Sequence, residues 1–340
     1  MKKRIEWIDI AKYLCIMFVM LSHFNICPNY LREFINPFFS ATFFFCSGYC
    51  YKRGLKFSDF LKRKIKQLFV PWFIYSNLNI IISNIKSIKV HENNFLTEVF
   101  RNMLQIRYYD ERLWFIPALF TAFIPFFFLI NYYQDDKQKT KKVLVLVIIL
   151  CAIRQLYKTF MNPSLLPWNL TSLPWHIDYI PTALLFMTFG YLFKIEYECY
   201  FDKENTLVNR IIVTLLYLFI VYLPSFISLP IDNFIFDFFY DHIRHIIGIL
   251  FIVSWCKIFK TNKYVSFVGA NTLLYFCLHN KVVTLVEMIS SKLLYQLINN
   301  NVIISTIYVI FATVLVSIIL IIPIVIINKY LPWTIGRERK

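Results

Sequence analysis

Charged residues are scarce in this chain of 340 residues. They make up 16% of the sequence, whereas soluble domains carry roughly 25%. Hydrophobic residues make up 58%, and the mean hydropathy is +0.56, which excludes an ordinary soluble fold. Apolar runs recur along the whole chain, and most are long enough to cross a hydrocarbon core roughly 30 Å thick. The sequence therefore predicts an all-α, polytopic membrane protein.

The sequence also has few acidic residues, and it lacks clustered cysteines and linker segments. Only 20 Asp and Glu oppose 36 Lys and Arg, giving a net charge of +16. The basic residues lie mainly in loops between apolar runs, so we expect membrane lipid and not nucleic acid as their partner. The eight cysteines form no CxxC pair, and we expect them to form neither disulfides nor a zinc site. No linker or repeat divides the chain, so residues 1–340 are predicted to form a single membrane-embedded domain with no appended soluble domain.

Ten apolar runs predict about ten transmembrane helices. They cover residues 7–26, 35–51, 68–85, 113–133, 143–156, 175–193, 211–226, 238–255, 265–278 and 302–327, and the ninth can extend beyond residue 278. With the N-terminus in the cytoplasm, most of the 36 Lys and Arg fall in cytoplasmic segments. The positive-inside rule therefore predicts that both termini are cytoplasmic.

Three ionisable residues interrupt the first apolar run. Asp9 and Lys12 are three residues apart, so they share a helix face and can neutralise each other. Lys12 and His23 are eleven residues apart, which also places them on one face, roughly 16 Å from each other. One interpretation is that both side chains snorkel to headgroups at opposite faces of the membrane. The other is that Lys12 holds an anionic cytosolic ligand while His23 accepts a proton at the other end of the same groove.

The spacing of Lys12 and His23 resembles the Arg/Lys-x10-His signature of the integral membrane acyltransferases of family three. Three further stretches resemble motifs of that family in the same order. FFFCSGY (43–49) is similar to FF-x-x-SG, and RLWFIPALF (112–120) is similar to the LWFL-x-ALF motif of the sugar O-acetyltransferase branch, which includes fucose 4-O-acetylase-like enzymes. VGANTLLYFCLH (268–279) is similar to G-x-x-S-L-x-x-Y-x-x-H, with Thr272 in place of the usual Ser.

The resemblance implies an enzyme that moves an acyl group, most commonly acetyl from acetyl-CoA, to a hydroxyl of a cell-surface or lipid-linked carbohydrate. It implies a location in a bacterial plasma membrane, with acyl-CoA as donor substrate and no bound cofactor. His23 would deprotonate the hydroxyl or assist transfer through an acyl intermediate, and Lys12 would contact the CoA phosphates or the acyl carbonyl. The other implied residues are Asp9, Ser47 and His279 in support, Arg4, Arg63 and Lys66 at the donor, and Arg112 and Trp114 at the acceptor.

Other classes of membrane protein would also carry charges within their spans. A transporter or flippase for a lipid-linked glycan would do so, but its broken helices and inverted repeat are not visible. A glycan polymerase would carry a large outer loop, whereas the longest one here, 86–112, is moderate. Several polar residues near the ends of apolar runs fit either a polar network or interfacial pairing: Arg154, His176, Asp178, Asp241 and His245. For Asp241 and His245, which are one helical turn apart, a metal site is a third interpretation.

Overall fold

The computed structural model of the chain describes residues 5–87, 95–109, 111–133, 137–226, 234–299 and 301–337. Within these ranges the chain is built from α-helices joined by short turns and π- or 3-10-helical segments, and it contains no β-strand. The predicted all-α fold is thereby confirmed. Arg4, one of the predicted donor contacts, lies outside the described residues.

Fifteen α-helices occur in the described part of the chain, and we number them in chain order. The first eight are α1 (Glu6–Ser22), α2 (Asn29–Ile35), α3 (Phe39–Tyr49), α4 (Phe57–Lys64), α5 (Val70–Ser87), α6 (Phe95–Leu104), α7 (Phe115–Tyr133) and α8 (Lys137–Phe160). The other seven are α9 (Ile180–Leu192), α10 (Glu198–Glu204), α11 (Leu207–Leu216), α12 (Phe234–Cys256), α13 (Lys263–Ala270), α14 (Thr272–Asn299) and α15 (Val302–Tyr330).

Six helical stretches of the described chain are long and apolar enough to cross a membrane. They are Phe57–Ile85, Phe115–Tyr132, Lys142–Phe160, Leu207–Phe226, Thr272–Ser290 and Val302–Tyr330. The helices at the other predicted spans are shorter or more charged: α1, α3 and α9 have 17, 11 and 13 residues, and α12 carries two aspartates and an arginine. These helices support a multi-pass membrane protein, while the number ten and the cytoplasmic termini stay predictions.

Two helices begin later than the apolar pattern predicts. Asn271 leaves the helical conformation, with φ −115° and ψ 19°, and separates α13 from α14. The ninth span therefore starts at Thr272 and extends past His279, which lies inside α14 and not at the end of a span. Residues Pro174–Tyr179 form a 3-10 segment with two left-handed residues, so α9 starts only at Ile180.

The helices form two compact units. The first contains Met1–Tyr49 and Gly190–Ile326, and the second contains Cys50–Phe189 and Ile327–Lys340. Each unit is built from segments distant in sequence. The single membrane domain predicted for residues 1–340 stays a prediction.

The first unit is arranged around α1, which packs against α3, α12, α13 and α14. Its buried side chains, among them Trp7, Cys15, Ile16 and Met20, lie on several sides of the helix. A helix that is apolar all round is stable only when it is surrounded. Asp9 is also buried, with 5% of its surface exposed, so its carboxylate is enclosed by protein.

Gly269 allows α13 to approach α1 closely. A Cβ at this position would collide with the carbonyl oxygen of Asp9 and would lie 2.9 Å from its carbonyl carbon. Likewise, a Cβ at Gly190 in α9 would collide with the carbonyl oxygen of Phe45 in α3. The glycine of the 268–279 motif is therefore required by the backbone of the helix that carries Asp9, Lys12 and His23.

In the second unit, α4, the π-helical residues Ile65–Phe69 and α5 follow one another without a break. Residues Ile65–Phe69 pack on α7, and α7 also packs against Pro174–Tyr179. The hydroxyl groups of Tyr75 and Thr334 lie 2.9 Å apart and link α5 to the C-terminal segment Pro332–Ile335. This packing places the 174–179 segment beside the start of α7.

Gly269→Ala should destabilise the protein by about 1–3 kcal/mol, because the added methyl group meets backbone that cannot rotate away. Thermal unfolding of the purified protein in detergent measures the change. Ser266→Ala on the same helix is the matched control and should leave the unfolding temperature almost unchanged. Equal behaviour of the two variants would contradict the close approach of α13 to α1.

Candidate active site

His23 lies at the end of α1, where the helix stops and the chain turns. Its Nδ1 is 2.7 Å from the carbonyl oxygen of Val19. Because a carbonyl only accepts, Nδ1 must carry the hydrogen, and in the neutral ring Nε2 then has the free lone pair. The side chain is exposed, and no hydrogen bond to Nε2 is made by the residues that the structure describes. Neutral His23 therefore presents a proton acceptor.

His279 packs beside His23. The two ring centroids are 4.7 Å apart and the rings meet edge to face. Nδ1 of His279 donates to the carbonyl oxygens of Phe276, at 2.8 Å, and Tyr275, at 3.1 Å. The residue is 1% exposed, and its buried Nε2 has no hydrogen-bond partner in the described part of the chain. Leaving such a group unsatisfied costs about 1–3 kcal/mol and calls for a functional explanation.

Residues that sequence reasoning missed hold the chain just beyond His23. The carboxylate of Glu287 accepts hydrogen bonds from the backbone nitrogen of Asn25, at 2.6 Å, and from its Nδ2, at 2.9 Å. Arg32 donates through Nη2 to the carbonyl oxygens of Phe24, at 2.7 Å, and Asn25, at 3.3 Å. Asn25 and Glu287 are 262 positions apart. The one available signal was an acidic residue inside an apolar helix.

Lys12 and Asp9 form the contact that their spacing predicts. Nζ of Lys12 is 3.5 Å from Oδ1 of Asp9, and the two side chains are 25% and 7% exposed. The carboxylate is thus the more buried partner, and the ammonium group reaches the surface of the unit. Lys12 and His23 lie on one uninterrupted helix and its cap, so eleven residues separate them by roughly 16 Å.

The remaining predicted residues have other surroundings. The hydroxyl group of Ser47 donates to the carbonyl of Phe43 within α3, at 2.8 Å, so this hydrogen is used locally. In the second unit, Arg63 and Lys66 are exposed. Arg112 lies 3.8 Å from the carboxylate of Glu98. The ring centroid of Trp114 lies 4.6 Å from Cζ of Arg107.

Cys27 is a nucleophilic group close in sequence to His23. It lies in the turn between α1 and α2, and burial raises the pKa of its thiol. A thiol rather than a thiolate is a poor nucleophile and metal ligand. Cys27 is therefore a suitable place for a control substitution.

The chain is thus a multi-pass membrane protein in which α1 carries the Lys12–Asp9 ion pair and ends at His23. Residues 5–322 match the family model described as an acyltransferase domain, acyltransferase family 3. The chain belongs to this family, and its general activity is that of a membrane acyltransferase. No curated protein and no solved structure matches the chain.

Exchanging the amide and carboxylate groups of Asn25 and Glu287 tests whether their contact stabilises the turn after His23. Glu287→Gln places an amide group against the Asn25 amide, and Asn25→Asp places two carboxylates together. Each single change should lower the free energy of unfolding by about 1–2 kcal/mol and speed amide exchange in residues 23–28. Combined, the two changes rebuild an acceptor–donor pair, and most of the loss should be recovered. Additive losses in the double variant would contradict this contact.

Proposed function

We propose that this chain transfers an acetyl group from acetyl-CoA to a hydroxyl of a cell-surface or lipid-linked carbohydrate, in the plasma membrane of a bacterium. The observation that carries the proposal is the arrangement of His23. Its Nδ1 is fixed to the Val19 carbonyl, its Nε2 is open, and Lys12 lies on the same helix. Membership of acyltransferase family 3 supports the acyl transfer, and the motif of the sugar O-acetyltransferase branch supports the carbohydrate acceptor.

A sugar hydroxyl is a weak nucleophile at neutral pH, so a positioned base is needed. In the proposed reaction the hydroxyl oxygen attacks the thioester carbonyl carbon while its proton passes to Nε2 of His23. The new C–O bond forms, the C–S bond breaks, and the departing CoA thiolate takes the proton back. A general base of this kind contributes about 10²–10⁴-fold to the rate. The Val19 carbonyl keeps the ring oriented and stabilises the transient imidazolium ion.

His279 acts on the reaction through His23. Its ring meets the His23 ring edge to face, so it restricts the rotation of the imidazole about its side-chain bonds. The Asn25–Glu287 contact fixes the backbone that follows. Both are positioning residues in this proposal, and His23 is the catalytic residue.

Lys12 attracts the phosphates of the donor. Its ammonium group is partly exposed, and charge-assisted hydrogen bonds to phosphate are strong. The roughly 16 Å between Lys12 and His23 suits the length of a pantetheine arm. The resemblance adds Arg4, Arg63 and Lys66 as proposed donor contacts and Arg112 and Trp114 as proposed acceptor contacts.

His23→Ala should lower acyl transfer by about 10²-fold or more, because the base is removed. The measurement is base-labile O-acyl ester on the surface glycans of cells lacking this gene and complemented with wild type, His23→Ala or Cys27→Ala at equal membrane levels. Wild type and Cys27→Ala should restore the ester, and the released acid identifies the acyl group. An ester level that is equal in all strains, with altered glycan amount or length, would instead favour a transporter or polymerase.

Removing both charges of the Lys12–Asp9 pair tests donor binding. Lys12→Gln alone also takes the cation away from a buried carboxylate, which destabilises the helix. The double change Lys12→Gln with Asp9→Asn keeps the site neutral, and it should raise KM for acetyl-CoA about tenfold, the loss of one charge-assisted contact, with a much smaller change in kcat. Lys203→Gln, at an exposed position of α10, should leave KM unchanged. A normal KM in the double variant would remove Lys12 from the donor site.

A further inference from the structure

The second unit contains a group of basic and aromatic side chains of which only Trp114 has a part in the proposed function. Cζ of Arg107 lies 4.6 Å from the ring centroid of Trp114 and 6.0 Å from that of Tyr179. Cζ of Arg154 lies 5.0 Å from the Tyr179 ring centroid, and the ring of His176 is 5.9 Å from that of Trp114. We call these five residues the arginine–aromatic cluster.

The positive charges of this cluster are not balanced by acidic residues. In the ranges that the structure describes, neither Arg107 nor Arg154 forms an ion pair with a carboxylate. Asp178 is nearby in sequence, but its carboxylate accepts from the backbone nitrogen of Leu173 at 2.8 Å. Arg154 lies toward the end of the candidate span Lys142–Phe160, where a basic side chain reaches for the interface or for a polar partner.

Two buried nitrogen atoms of the cluster lack hydrogen-bond partners among the described residues. Nε of Arg154 and Nε2 of His176 are both buried without a hydrogen bond in the described structure. His176 is 1% exposed, and its ring faces Trp114 edge-on. An anion placed among these groups would satisfy both the charge and the missing hydrogen bonds.

The backbone around the cluster is strained. All six non-glycine residues with a left-handed φ in the described chain lie in two stretches, around residues 105–114 and 169–179. These stretches carry four of the five cluster residues, whereas Arg154 lies on α8. The six residues are Gln105, Tyr108, Leu113, Asn169, Trp175 and His176. Such conformations cost about 1–3 kcal/mol each and gather at binding sites. The backbone nitrogen of Arg107 donates to the Ser172 hydroxyl at 3.1 Å and links the two stretches. The Thr121 hydroxyl on α7 donates to the Trp175 carbonyl at 3.2 Å.

We propose that the arginine–aromatic cluster binds the carboxylate or phosphate of an anionic sugar in the acceptor glycan. The planar guanidinium groups of Arg107 and Arg154 pair with the anion, His176 donates through Nε2, and Trp114 and Tyr179 contact the sugar ring. The assignment of the ligand to the acceptor glycan rests on the proposed function. The predicted topology favours the acceptor over the cytosolic donor, because residues 86–112 and 157–174 are outer loops in that topology.

Binding to the full chain in phosphatidylcholine nanodiscs tests the proposal by equilibrium dialysis. The probes are trigalacturonate and mannose 6-phosphate, with maltotriose and mannose as neutral counterparts, and coenzyme A and inorganic phosphate as competitors. At least one anionic sugar should bind about tenfold or more tightly than its neutral counterpart, and Arg107→Gln with Arg154→Gln should remove that difference. Lys158→Gln, at an exposed position one turn along α8 from Arg154, removes one positive charge outside the cluster and should leave binding unchanged.

Stability gives an independent readout of the same cluster. Because Arg154 has no acidic partner among the described residues, Arg154→Met should keep or raise the unfolding temperature of the ligand-free protein while it weakens anion binding. A lower unfolding temperature with unchanged binding would assign Arg154 a structural role and overturn the proposal.

The other outcomes are also decisive. Absence of anionic-sugar binding by wild type, equal binding of neutral sugars, or inorganic phosphate alone as the ligand would overturn the acceptor site. Tight binding of coenzyme A that depends on both arginines would assign the cluster to the donor instead. His23→Ala should bind the anionic sugar as wild type does, so a failure of the acyltransferase proposal and a failure of this site give different results.

Discussion

The burial of α1 among other helices is the constraint on which the first unit depends. This helix carries Asp9 and Lys12 between apolar residues, and neither charge is tolerated against lipid tails without a partner. Pairing within one turn neutralises most of the charge, and packing against α3, α12, α13 and α14 supplies the enclosing surface. Gly269 permits the close approach of α13. Any side chain there would push α13 away from the helix that the unit is built around.

The same helix packing supports the His23 ring at the end of α1. A carbonyl of the helix itself orients the His23 ring, which requires no distant residue. The histidine at its side and the carboxylate that holds Asn25 both come from α14. A shift of α14 would therefore displace both supports at once, so the site and the helix packing are energetically linked.

The cations described above have different partners in the two units. In the first, Lys12 pairs with Asp9, and Lys257 lies 2.6 Å from Glu198 and 2.8 Å from Asp202. In the second, Arg107 and Arg154 lie against aromatic rings instead of carboxylates. Aromatic faces attract cations more weakly than an ion pair does, which leaves these guanidinium groups available to an anion. The left-handed residues on the adjoining segments belong to the same unit.

The sequence by itself determined the helical membrane class and the placement of Lys12 and His23 on one helix, because these follow from composition and local periodicity. The family was indicated by the resemblance of four stretches to its motifs. The apolar pattern placed the start of the ninth span wrongly, since one buried Asn271 interrupts an otherwise apolar run. Only the tertiary structure decided that His279 meets His23, that Glu287 holds Asn25, and that Arg107 and Arg154 both lie against the ring of Tyr179. Such contacts join residues up to 262 positions apart, and their formation depends on how the helices pack, which no local pattern encodes.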